Sequence, residues 1–242
     1  CYGNTELKTP HIDSIARRGT AYDRFYVSSP VCMPNRATLA TGRWPSAHGV
    51  RQNGIPLPLE ATTFVDLLRA ADFHTGLIGK LHLQNITSAP SHQRRKPGRS
   101  PQQDPPPELS EAVRCDRTSE AYRAESLEAW RNDPHREIAT PFYGFDQVRI
   151  CSGDGDMVEG HYTAWLADQV DDPNSIRGPE AAYPDDRYSA PQAYRTSMPE
   201  ELYSTRYIEQ ESISFLKEQV ENRPGQPFFL QCSFPNPHHP FT

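Results

Sequence analysis

The sequence predicts an α/β protein, with a largely parallel sheet sandwiched between helices. Three observations carry that prediction. Segments with helical apolar spacing alternate with short apolar runs along the chain. One of those runs, "PFFLQCSF" (227–234), is almost continuously apolar, as suits a strand covered on both faces. With 242 residues the chain is also long enough to bury a sizeable core.

The elements follow in order. Thr9-Pro10 reads as an N-cap and a first-turn proline, with Ile12, Ile15 and Ala16 on one face and Gly19 as the stop. "TAYDRFYV" (20–27) is aromatic and β-prone, so a strand or extended segment is expected. Pro34 is expected to start a second helix that ends at Gly42. Thr62 or Thr63 precedes the helical spacing of "FVDLLRAADF", and "HTGLIG" (74–79) follows as a short strand. Ser204 caps a long helix, whose Ile208, Phe215, Leu216 and Val220 are expected to face inward, and Pro224-Gly225 breaks it before the last strand. Between about 84 and 140 the composition turns to proline, glutamine and arginine, so a polar excursion is expected there within one catalytic unit over 1–242. The chain begins at Cys1 and ends at Thr242 without a stop-like signal, so it is expected to be an internal piece of a longer protein, incomplete at both ends.

The net charge of −6 argues against nucleic-acid binding, which needs a basic surface. No apolar run reaches the roughly 20 residues of a bilayer span. The five cysteines, Cys1, Cys32, Cys115, Cys151 and Cys232, show neither the even count of a disulfide framework nor close zinc-type pairing.

Three places can carry chemistry. Cys32 stands two residues before Pro34, at or next to a helix N-cap, where the dipole and free N–H groups favour an anion. Arg36, one turn on, can fold back onto that anion with two prongs. A buried cysteine beside a surface arginine is the bland alternative. A cysteine-dependent phosphatase needs five residues between the two, and here there are three. Lys80 and His82 of "IGKLHL" fall at the carboxyl end of a predicted strand, where open α/β sheets place ligands, and strand alternation would put both on one side. His238 and His239 of "FPNPHHPF" follow another strand, and a histidine there can serve as an acid near neutral pH, hold a metal or simply form a turn.

The stretch "CMPNRATLATGR" (32–43) resembles the signature of the sulfatase family, Cys-x-Pro-x-Arg followed by Thr-Gly-Arg. Gly-Lys-x-His at 79–82 and His-x-Pro at 238–240 match further motifs in the same order. "TPHIDSIARRGTAYDRFYV" and "FYGFD" agree, so the resemblance runs from Cys1 to about Leu83 and from about Pro141 to Thr242. It implies that Cys32 is oxidised to formylglycine by a formylglycine-generating enzyme, and that the hydrated aldehyde attacks sulfur. It further implies that Arg36, Lys80 and His82 position the aldehyde and the anion. Lys80 and His238 would touch the substrate, a small-molecule or saccharide sulfate ester, with His238 as the leaving-group acid. One divalent cation, usually calcium, is implied as well. Within this chain only the converted Cys32 would ligate it, the remaining carboxylates falling outside. "SGDGDM", with Asp154 and Asp156, comes before His238, the wrong order for a replacement, and is expected to be a loop. Two alternatives stand beside this reading: a phosphonate or phosphate ester hydrolase of the same alkaline-phosphatase-like superfamily, and a non-catalytic fragment or binding module lacking the metal site.

Overall fold

A computed structural model describes residues 2–87 and 119–242. Strands β1 (His74–Gly79), β2 (Gln147–Ser152), β3 (Glu159–Gly160) and β4 (Phe228–Ser233) form one sheet in the order β3-β2-β1-β4. β1 runs parallel to both β2 and β4, and only the short β3 is antiparallel. The sheet is therefore mostly parallel, as its apolar runs predict.

The helices are α1 (Pro10–Arg18), α2 (Cys32–Thr41), α3 (Pro45–His48), α4 (Phe64–Ala70), α5 (Leu127–Asn132), α6 (His161–Ala167) and α7 (Ser204–Asn222), of which α2, α4, α5, α6 and α7 pack on the sheet. Every residue of β1 is buried. Leu77 packs with Met33, Ala37 and Val65 of α2 and α4. Its neighbour Ile78 packs instead with Tyr162, Leu166, Ile208 and Phe215 of α6 and α7. Successive side chains point to opposite faces, so this strand has helices on both sides.

Local chemistry sets several boundaries. Thr63 caps α4 through its side chain and forms a capping box with Asp66. α2 starts at Cys32, two residues earlier than its proline suggests, and Gly42 closes it in the left-handed conformation. Residues 20–27 form no strand; Tyr22, Phe25, Tyr26 and Val27 are exposed. α1 forms where expected but buries none of its side chains, and Ile12 and Ile15 are exposed. Its apolar periodicity has no partner surface among the described residues. On α7, Ile208 and Phe215 are buried as expected, whereas Leu216 and Val220 face outward; Tyr207 and Gln219 take the inner positions. β4 is also less covered than its apolar sequence suggests, because among the described residues it has a neighbour on one edge only and Phe228 is exposed.

Most of the polar excursion, residues 88–118, lies outside the described residues. The part from 119 onward departs from the expectation: it holds α5, a fully buried Trp130 and a fully buried Glu125.

Gly79, the last residue of β1, has φ +105°, and a Cβ there would lie 1.9 Å from the Ser233 carbonyl oxygen of β4. That oxygen accepts the Lys80 amide at 2.8 Å, so it has no freedom to withdraw. Gly79→Ala is expected to cost about 3 kcal/mol or more of unfolding free energy, from backbone strain and a lost ladder bond. Urea denaturation of the full-length protein measures it; a loss below about 1 kcal/mol would mean that the strand ends can part cheaply.

Candidate active site

Three neighbouring parallel strands end at the same side of the sheet, and each exit supplies a polar residue. β1 leads to Lys80 and His82, β2 to Asp154 and β4 to His238. Ligands of open α/β sheets gather at such carboxyl ends. Lys80 Nζ donates to Asp154 Oδ1 at 2.5 Å, and the Lys80 side chain is only 3% exposed. The other oxygen of Asp154 lies 3.5 Å from His238 Nδ1. One carboxylate thus joins a lysine and a histidine contributed by the two strands beside its own and beyond it.

Helix α2 is tied to this cluster through Arg36, whose Nη1 donates to the carbonyl oxygens of Lys80 (3.4 Å) and Leu81 (3.3 Å). The guanidinium therefore braces the loop that bears Lys80 and His82, where the sequence pattern assigns it an anion. Cys32, the first helical residue, is a partly buried free cysteine one turn before Arg36. The open amides expected beside it are largely used. Met33 donates its amide to Asn53 Oδ1 at 3.0 Å, Pro34 has none, and the Asn35 amide closes the first turn on Val31. The helix start thus offers Cys32 its dipole more than a cradle of donors.

β1 has ended by the time the chain reaches His82, which adopts φ +60°. Its closeness to Lys80 comes from the irregular backbone after the strand, not from strand alternation. Burial, with Lys80, Arg36 and His238 adding positive charge, pushes the His82 imidazole down to about 3. It is uncharged at neutral pH, and its Nδ1 is buried without a hydrogen-bond partner among the described residues. His238 is partly exposed and directs Nδ1 at the His239 carbonyl oxygen, 2.6 Å away; His239 itself is exposed.

Two functional candidates go beyond the sequence motifs, the first of them set aside there as a loop residue. Asp154 is one. The other is Glu125, which is fully buried and accepts the backbone amides of His82, Leu83 (2.8 Å) and Gln84 (2.9 Å). Burial pushes its carboxyl up to about 7, against the three amides and the charge of Arg36. Gln84 returns the contact, donating to the Ala121 carbonyl and accepting the Ala124 amide. The loop bearing His82 is held from both sides. Nothing in the sequence around Glu125 distinguishes it from a surface glutamate.

Among the described residues, no group of three or more His, Cys, Asp or Glu side chains is placed to hold a metal ion. The glycine-rich loop at 152–157 does not fit one either. Asp154 is paired with Lys80, and Asp156 accepts from the Gly178 amide, Tyr194 and Thr196. Both carboxylates are thus committed to protein donors.

The parallel sheet and the gathering of polar residues at its strand ends define an α/β protein with a site at the carboxyl ends of its strands. The family model "Sulfatase" matches residues 1–242, and the chain belongs to the sulfatase family. Steryl-sulfatase of Rattus norvegicus is 37% identical over 110 residues, covering 41% of this chain and 19% of that protein. Arylsulfatase A of Homo sapiens is 38% identical over 89 residues, covering 34% and 18%. Among solved structures, the phosphonate monoester hydrolase of Agrobacterium radiobacter matches with a TM-score of 0.57 at 20% identity, over 98% of this chain and 37% of that one. At that identity it speaks for the fold alone. The chain spans well under half the length of these relatives. No helix among the described residues is long and apolar enough to cross a membrane.

Proposed function

We propose that this chain carries the nucleophile, anion-binding and leaving-group residues of a sulfuric ester hydrolase, within a longer enzyme. The observation that carries the reading is the convergence at one sheet end: Lys80, His82 and His238 from two strand exits, with α2 and its leading Cys32 strapped on through Arg36. Converted to formylglycine by a generating enzyme and hydrated, Cys32 supplies a diol, one oxygen to attack sulfur and the other to shed a proton as sulfate is expelled. Lys80 brings a desolvated positive charge to the sulfuryl oxygens. His82, kept uncharged, adds no further positive charge and positions the converted Cys32 by hydrogen bonding. His238 faces acceptors at Nδ1, so its Nε2 proton is the one given to the leaving oxygen. The family implies a divalent cation, usually calcium, and its ligands besides the converted Cys32 are assigned to residues outside this chain. Relatives carry the names steryl-sulfatase, arylsulfatase and ulvan-active sulfatase, which share a sulfate ester and differ in its organic part.

The test is the full-length protein, matured in a host with formylglycine-generating machinery, assayed on aryl sulfate and aryl phosphonate esters. A higher kcat/KM on the sulfate is expected; no sulfate hydrolysis, or a preference for the phosphonate, would overturn the reading. In the same protein His238→Ala should slow esters of poor leaving groups by about 10²-fold or more, and those of good leaving groups far less. His239→Ala should be the milder change. The reverse ranking would remove His238 from the acid role.

A further inference from the structure

Resting on that reading of Lys80 as the anion site, we propose that Asp154 is a specificity-determining residue that tunes the site to singly charged esters. The Lys80 ammonium is desolvated, and its short contact is to a carboxylate that is itself 14% exposed. Charges so placed interact far more strongly than in water. An anion that approaches Lys80 therefore meets the Asp154 charge as well.

The carboxylate is built in. Gly153 (φ +92°) and Gly155 (φ +61°) shape the loop on either side of it. A Cβ on Gly155 would lie 2.9 Å from Pro240 Cγ, so this loop is seated against the segment that bears His238. Two residues on, Asp156 is bound by Tyr194 Oη at 2.5 Å and Thr196 Oγ1 at 2.6 Å. Backbone fixed on both sides keeps Asp154 beside Lys80 when a ligand arrives.

The charged side chains in contact at this strand end are Lys80 and Asp154, with Arg36 held on the backbone carbonyl oxygens of Lys80 and Leu81. His82 is neutral, His238 lies on the far oxygen of Asp154, and Glu125 opposes Arg36 from the interior. The Asp154 carboxylate, at contact distance, offsets the charge that Lys80 would otherwise offer the ligand alone. A sulfate or phosphonate monoester carries one negative charge. A phosphate monoester carries about two at neutral pH, since its second pKa is about 6. The second charge adds a repulsion from Asp154 that a singly charged ester meets only once.

The experiment measures binding of two non-hydrolysable tetrahedral anions to the full-length enzyme by calorimetry, at one pH and ionic strength. Methanesulfonate carries one charge and inorganic sulfate two. Asp154→Asn is expected to tighten sulfate about tenfold more than methanesulfonate. Asp154→Ser serves if the asparagine variant does not fold, and Asp154→Glu should keep the wild-type ratio. A matching rise in kcat/KM for phenyl phosphate relative to phenyl sulfate is expected in the charge-removed variants. Equal gains for both anions would make Asp154 a mere mask on Lys80 and overturn the proposal. So would an unchanged ratio, or no binding of either anion to any form. A shifted binding ratio in a protein that hydrolyses no sulfate ester would sustain the charge filter while defeating the sulfatase activity.

Discussion

Cys32→Ser, made in a host that modifies only cysteine, is expected to lower sulfate-ester turnover by about 10⁴-fold or more while the protein still folds. The size follows from losing the nucleophile, which costs more than the loss of any single positioning group. Folding survives because Cys32 is not what the helix packs with. Met33, Pro34 and Ala37 are its buried residues, and Met33 is further held through its amide and sulfur by Asn53 and Gly54. Serine also has the right size, and its hydroxyl suits a helix start. A serine that did attack sulfur would stop as a stable sulfate ester, having no second hydroxyl on the same carbon to expel the sulfate. Mass spectrometry of the peptide over residues 25–36 checks the premise in the wild type, where Cys32 should show the loss corresponding to thiol-to-aldehyde conversion. An intact thiol in fully active protein, or a serine variant with near-normal turnover, would end the formylglycine reading.

Glu125→Ala is expected to destabilise the protein by about 3 kcal/mol or more, a large share of a typical domain's margin. Three consecutive buried amides, those of His82, Leu83 and Gln84, lose their common acceptor. Each buried donor left unpaired costs about 1–3 kcal/mol. The pH dependence has a definite sign. The folded protein raises the Glu125 carboxyl from 4.5 to about 7, so between those values it holds a proton that the unfolded chain has released. This group's contribution is greatest below about 4.5, falls as pH rises towards 7, and is level above it. The substitution should therefore cost more at pH 5 than at pH 8. Urea unfolding at the two pH values measures both effects. A loss under about 1 kcal/mol, or a cost that grows with pH, would contradict the cradle. Activity should fall as well, since the same amides hold the loop that presents His82.

What is legible in the sequence lies within a few residues of itself. The Thr63 cap, the strand at 74–79 and the Pro224-Gly225 break are local statements of backbone chemistry, and the structure repeats them. The spacing that singles out Cys32, Arg36, Lys80, His82 and His238 is local too, and it suffices to identify the family. Partnership is not legible. α1 has an amphipathic pattern but no described surface to bury it, and Leu216 and Val220 keep helical spacing while facing away from the sheet. Asp154 draws notice in the sequence only as a cation ligand, and is set aside as a loop residue because it precedes His238 in the chain. Parallel pairing of β2, β1 and β4 erases that order and sets Asp154 against a lysine 74 residues before it. Glu125 needs the fold for the same reason, since its partners are backbone amides some 41 to 43 residues earlier. Residue type and spacing determine what a short segment can become and which chemistry it can carry. Which carboxylate meets which cation is decided only when strands distant in sequence end side by side and water is excluded from between them.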